Sequence, residues 1–111
     1  MTTVWLEKSN DNIICVTVKG HAGFASYGKD IVCAGVSSIV QTAVLGIKDI
    51  ANIKHKYEFD ESTGYLKLQL IDIENTSKFN SAQIVLKTME LGVKDLAKQY
   101  PKYLIVEDKQ I

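Results

Sequence analysis

The sequence predicts an α+β fold, a two-layer sandwich in which a largely antiparallel sheet carries two helices on one face. Three observations predict it. Two pairs of short, β-rich segments are each joined by a run of turn formers, which is the pattern of hairpins. Each pair is followed by a longer segment whose apolar residues recur at spacings of three and four. A last short apolar run closes the chain. Hairpins alternating with helices, in the order β-β-α-β-β-α-β, suit a sheet with one face covered and one face wet.

Thr3 to Lys8 and Ile13 to Gly20 read as the first two strands, joined by Ser9-Asn10-Asp11-Asn12. Ala22 to Lys29 contains Gly23, Ser26 and Gly28 without helical periodicity and is expected to be a loop. Asp30 is placed to cap a helix running from Ile31 to about Asn52. On a wheel, Val32, Val36, Ile39, Val40, Ala43, Ile47 and Ile50 share one face. The other face holds Ser37, Ser38, Gln41, Thr42, Lys48 and Asp49, interrupted by Leu45. Small uncharged residues there suit a partner chain or a site better than water alone. Tyr57 to Asp60 and Tyr65 to Ile71 form the second hairpin around Glu61-Ser62-Thr63-Gly64. Asp72 to Phe79 reads as a connection, and a second helix starts near Asn80 or Ser81. Its stripe is Val85, Met89, Val93, Leu96, Ala97 and Tyr100, and Pro101 ends it. Tyr103 to Glu107 is the last strand. No linker, repeat or low-complexity tract divides the chain, so residues 1–111 are expected to form one domain.

The bulk numbers narrow the function. Lysine plus arginine and aspartate plus glutamate both number 13, so the formal charge is zero and a general nucleic-acid binder is disfavoured. Met1-Thr2-Thr3-Val4-Trp5 lacks the basic and apolar regions of a secretory signal. The uncharged run from Ile31 to Ile47 is 17 residues and carries Ser37, Ser38, Gln41 and Thr42, too short and polar for a bilayer span. A cytoplasmic location follows, with two free cysteines. CxxC, HExxH, Walker A and GxGxxG patterns are all missing, so neither a metal nor a cofactor is expected.

One constellation carries chemistry. His21 and Cys33, each one of only two of its kind, lie twelve positions apart across a glycine-containing segment. A cysteine at a helix start is favoured as thiolate by the free N–H groups and dipole of the first turn. With Asp30 as cap, Cys33 is the third helical residue, and the backbone N–H groups of Cys33 and Ala34 are candidate oxyanion donors. His21 then serves as base and acid. Asp30 either orients the imidazole or only caps the helix. Ser37, one turn after Cys33, either bonds within the site or back to the Cys33 carbonyl. Gly23, Phe24, Tyr27 and Gly28 make a substrate-covering loop on one reading, and an ordinary glycine-rich turn with tucked aromatics on the other. Cys15, in mid-strand, reads as packing.

Gly20-His21-Ala22 followed by Asp30-Ile31-Val32-Cys33-Ala34-Gly35-Val36-Ser37 closely resembles the signature of the ribosomal-processing cysteine protease family, Prp. The length and element order fit along essentially the whole chain. The motif pair is specific, and the C-terminal half agrees by pattern. The resemblance implies a cytoplasmic, homodimeric endopeptidase with His21 and Cys33 as catalytic pair and Asp30 and Ser37 in support. It implies a substrate as well: the precursor of a bacterial large-subunit ribosomal protein. An N-terminal extension is removed from it by cleavage after an aromatic residue in an apolar, Phe-containing motif. The loop between histidine and cysteine would order over substrate. The rival expectation is a non-catalytic, ribosome-associated peptide-binding module using the same groove. Neither reading invokes a membrane or direct contact with nucleic acid.

Overall fold

The structure is a computed structural model that describes residues 1–20 and 27–111, with side chains in the first helix described from Ile31 onward. Five strands, β1 (Thr2–Ser9), β2 (Asn12–Lys19), β3 (His55–Asp60), β4 (Tyr65–Leu70) and β5 (Leu104–Gln110), form one sheet in the order β3-β4-β2-β1-β5. Three of the four pairings are antiparallel, and β1 with β5 is parallel. Helices α1 (Tyr27–Gly46) and α2 (Thr76–Gln99) pack together on one face. This is the predicted class and order.

The strand registers show why one face is apolar. Val4 lies opposite Val18 and Leu6 opposite Val16, while Val16 and Val18 in turn face Leu68 and Leu66. All six side chains are buried, and they form the floor beneath the helices. A bulge keeps the floor continuous. Glu7 pairs with Cys15 and Lys8 with Ile13, so Ile14 is an extra residue that returns Ile13 to the helix side. The hairpin itself turns at Asn10, whose φ of 56° is a conformation asparagine tolerates.

Both helices start earlier than the sequence pattern indicates. Helix α2 begins at Thr76, because the Asn75 side chain caps it by accepting from the Lys78 N–H at 3.2 Å. Thr76, Ser77 and Lys78 face water and leave no apolar mark of the start, and Phe79, half-buried against the core, is the first residue of the stripe. Helix α1 begins at Tyr27 and not after an Asp30 cap. A glycine such as Gly28 costs a helix at most about 1 kcal/mol, and an acid anywhere in the first turn suits the dipole, so neither marks the boundary.

Helix α1 passes into a π-helical turn, Ile47–Ala51, that ends at Asn52 in a left-handed conformation with φ of 53°. More residues per turn change the phase. Ile47 and Ala51 reach the core, whereas Ile50, expected inside, is 76% exposed. Leu45, which interrupts the polar face, is 58% exposed. The segment Ile31–Ala51 is long and apolar enough to cross a bilayer by length and composition. Its apolar face is nevertheless taken up by the sheet, with Val32, Val36, Val40 and Ile47 all buried. The helices meet closely at Gly46, where an added Cβ would stand 2.9 Å from Val85.

Polar groups on the helix-facing rows are each partnered. The pairing of β4 with β2 runs only from Val18 to Cys15, and beyond it the Gln83 side chain of α2 takes over. Its Oε1 accepts from the Ile13 N–H at 2.7 Å, and its Nε2 donates to the Ile13 carbonyl at 2.8 Å. At the same end Lys8 donates to Glu90 at 2.6 Å and to Asp108 at 3.1 Å, and Lys94 pairs with the same two acids.

Gln83→Leu strips both Ile13 groups of their partner, so a loss of about 1–3 kcal/mol per group is expected in urea unfolding. Burial pushes the Glu90 and Asp108 carboxyls up, but the lysine hydrogen bonds and charges outweigh it, leaving both below their ordinary values. Burial pulls Lys8 down, and its two acids more than reverse that. Depressed carboxylates stabilise the fold above their unfolded values, and that contribution disappears as pH falls through the folded ones. The contribution of Lys8 is complete below its unfolded value and fades as pH rises through the elevated one. Stability is therefore expected to hold across neutral pH and to fall below about pH 4. Lys8→Met is expected to flatten that acid limb in urea titrations taken at several pH values, mainly through Glu90, since exposed Asp108 is screened.

Candidate active site

One end of the sheet carries a cleft between α1 and the strand ends. It encloses about 260 Å³. Val36 and Val40 of α1 form one wall, Val18 and Leu66 the floor, and Phe59 the far side, with Glu61 and Gly64 on the β3–β4 turn. Cys33 stands at the other end beside Thr2 and Gly20. The cleft thus crosses from β1 to β3, three strand spacings of about 4.8 Å, or roughly the length of four extended residues. Its walls are apolar, and Glu61 is the one acid on the described lining.

Cys33 directly follows the buried Val32, so the valine ridge that anchors α1 leaves the thiol half-buried at the cleft's edge. Its Sγ lies 3.6 Å from the Thr2 hydroxyl. Ser37, one turn on, also lines the cleft and is half-buried. Cys15 contrasts with Cys33. It is buried, and burial, followed by the charge of Glu7, pushes its thiol up, which suits packing and not reaction.

Gly20 closes the cleft beside Cys33. Its φ is 119°, and an added Cβ would stand 2.3 Å from the Met1 carbonyl oxygen and 2.7 Å from the Thr2 Cα. Only glycine satisfies both the dihedral and this close approach. His21 is the next residue, and it lies outside the described residues, as do Gly23 and Phe24 of the expected substrate loop. Tyr27 and Gly28, the other two residues of that loop, belong to the first turn of α1. Asp30 lies inside the first turn of α1 and so does not cap it, and its side chain is outside the described part.

The early start of α1 changes the reading of its amides. Cys33 is the seventh helical residue and not the third. In an α-helix each N–H is directed to the carbonyl four residues back. The Cys33 and Ala34 amides are therefore engaged within the helix and are not free first-turn donors to an oxyanion. By the same count, the dipole argument for a thiolate weakens, because that effect is confined to the first turn.

Thr2 and the cleft floor were missed from sequence. The signal was present in outline: Thr2, Val4 and Leu6 alternate, so a strand begun at Thr2 places a hydroxyl on the core row. Phe59 falls on the helix side because it pairs with Leu66, which only the register reveals.

Comparison with known proteins gives the class and then the family. A ribosomal processing cysteine protease Prp from Bacillus subtilis is 27% identical over 107 residues, covering 96% of each chain. The crystal structure of SMU.848 from Streptococcus mutans has a TM-score of 0.88 and 27% identity, covering 100% of this chain and 96% of that one. A ribosomal processing protease Prp from S. aureus, in complex with a covalently linked product peptide, has a TM-score of 0.83 and 26% identity, covering 98% of this chain and 100% of that one. The likeness is to cysteine proteases, and the chain is a hydrolase of that class. Residues 1–105 match the profile described as Cysteine protease Prp, and the chain belongs to that family.

Proposed function

We propose that this chain, as a single catalytic domain in the cytoplasm, removes the N-terminal extension of a bacterial large-subunit ribosomal protein, cutting after an aromatic residue. The observation that carries the reading is the apolar cleft of about 260 Å³ with the Cys33 thiol at its end and the chain neighbour of His21 in its wall. A cleft this narrow and apolar suits an extended peptide of aliphatic and aromatic residues better than a folded protein surface.

His21 takes the Cys33 proton, and the thiolate sulfur bonds to the scissile carbonyl carbon. The imidazolium then gives its proton to the leaving amine as the C–N bond breaks, leaving a thioester. Water attacks the thioester, His21 accepts the water proton, and the C–S bond breaks to free the acid and restore the thiolate. Ser37 faces the same cleft and supports the site.

The test is cleavage of a peptide carrying the apolar, Phe-containing end of the extension, read by mass spectrometry. A single cut after an aromatic residue is expected, abolished in Cys33→Ala and slowed about 10²–10⁴-fold in His21→Ala. If native protein cuts neither the peptide nor the intact precursor, the reading is overturned.

A second copy of the chain completes the proposed assembly. The outer faces of both helices carry exposed apolar residues, Leu45 on α1 and Ile84 and Leu91 on α2 at 70% and 73% exposure. Between them runs a groove of about 520 Å³ that includes Ser38, Thr42, Ile84 and Thr88. Small side chains there let helices approach closely. Sedimentation is expected to give a dimer at micromolar concentration, and a monomer overturns this part.

A further inference from the structure

We propose that Thr2 is a positioning residue for the nucleophile: its hydroxyl donates a hydrogen bond to the Cys33 sulfur once the thiol is ionised. The inference rests on the reading of Cys33 as nucleophile and extends it to a strand the motif does not include.

Thr2 occupies the first place of the row Thr2, Val4, Leu6, the helix-facing side of β1. It is 5% exposed, and only Gln83 joins it among the described residues as a buried polar side chain. A valine would fill the same volume without a polar atom to satisfy, and an unpaired hydroxyl there would cost stability. The hydroxyl instead sits 3.6 Å from Cys33 Sγ, its side-chain partner among the described residues. Bonds between a hydroxyl and a neutral thiol are weak, whereas a hydroxyl donating to a charged acceptor makes a stronger, shorter bond. The pairing therefore fixes the rotamer of the sulfur at the head of the cleft, with the hydroxyl placed to donate to it.

The residue that carries the donor is itself held from both sides. The Thr2 N–H donates to the Tyr103 carbonyl at 3.0 Å, and Thr2 stands in parallel register with Leu104. The Gly20 backbone presses against Met1 and Thr2 from the other side. A hydroxyl held this way is preorganised and loses little freedom on bonding to sulfur. Among the described cleft residues, Glu61 is the other titratable side chain, and it belongs to the β3–β4 turn at the opposite end.

The experiment compares native protein with Thr2→Val and Thr2→Ser. Iodoacetamide labelling of Cys33 is followed against pH by mass spectrometry of its peptide, and cleavage is measured separately. In Thr2→Val the rate of Cys33 labelling at neutral pH is expected to fall about tenfold. Its kcat is expected to fall about tenfold with KM unchanged. Thr2→Ser, which keeps the hydroxyl, is expected to restore both. A Thr2→Val profile that coincides with the native one overturns the proposal, as does a Thr2→Ser protein no better than Thr2→Val. Thr2→Ala supplies a second hydroxyl-free variant should Thr2→Val not fold. Labelling needs no peptide substrate, so it decides the role of Thr2 even for a protein that fails to cleave.

Discussion

The seating of one valine ridge on the sheet is the constraint from which the rest follows. Val32, Val36 and Val40 lie along α1 at spacings of four and are each 2% exposed or less. Burial of such a side chain contributes about 1.5–3 kcal/mol, so the helix has one rotational setting about its axis. That setting decides where the neighbours of the ridge point. Cys33 and Ser37 each follow a ridge residue by one position and come out along the edge of the core, at the cleft. The thiol is held by packing that has no chemical role of its own.

The same packing separates two otherwise equivalent cysteines. Cys15 lies in the middle of β2, buried, where desolvation disfavours the anion. Cys33 is half-buried at a surface with room for a substrate and with a hydroxyl at hand. A thiol is a nucleophile by virtue of its surroundings, and these differ because one residue sits within the sheet and the other at its end.

Polar residues on the helix-facing side follow a consistent logic. Thr2 and Lys8 stand where the core row of β1 runs out, at the strand end and at the bulge, and Gln83 reaches the bulge from α2. Each meets a partner from a different element: Cys33, the Ile13 backbone, and Glu90 with Asp108. Among the described residues, every buried side-chain nitrogen and oxygen has a hydrogen-bond partner. The floor of the sheet is therefore apolar in its middle and polar at both ends, one end structural and the other facing the cleft.

Local periodicity by itself determined the seven elements, their order and the α+β class, because strand alternation and the helical stripe need only neighbours in the chain. The expectation of a histidine–cysteine pair came from a short motif instead, and of its two members Cys33 lies at the cleft while His21 lies outside the described residues. Tertiary structure decided what depends on contacts between distant residues. Helix α1 opens at Tyr27 and not after Asp30, which takes the Cys33 and Ala34 amides out of reach of a substrate oxygen. A π-helical turn sends Ile50 outward. The parallel pairing of β1 with β5 joins residues about a hundred positions apart and carries Thr2 beneath Cys33. Caps, phase shifts and cross-strand contacts leave no periodic trace, since each is one local event or one long-range meeting, and only the folded chain brings them together.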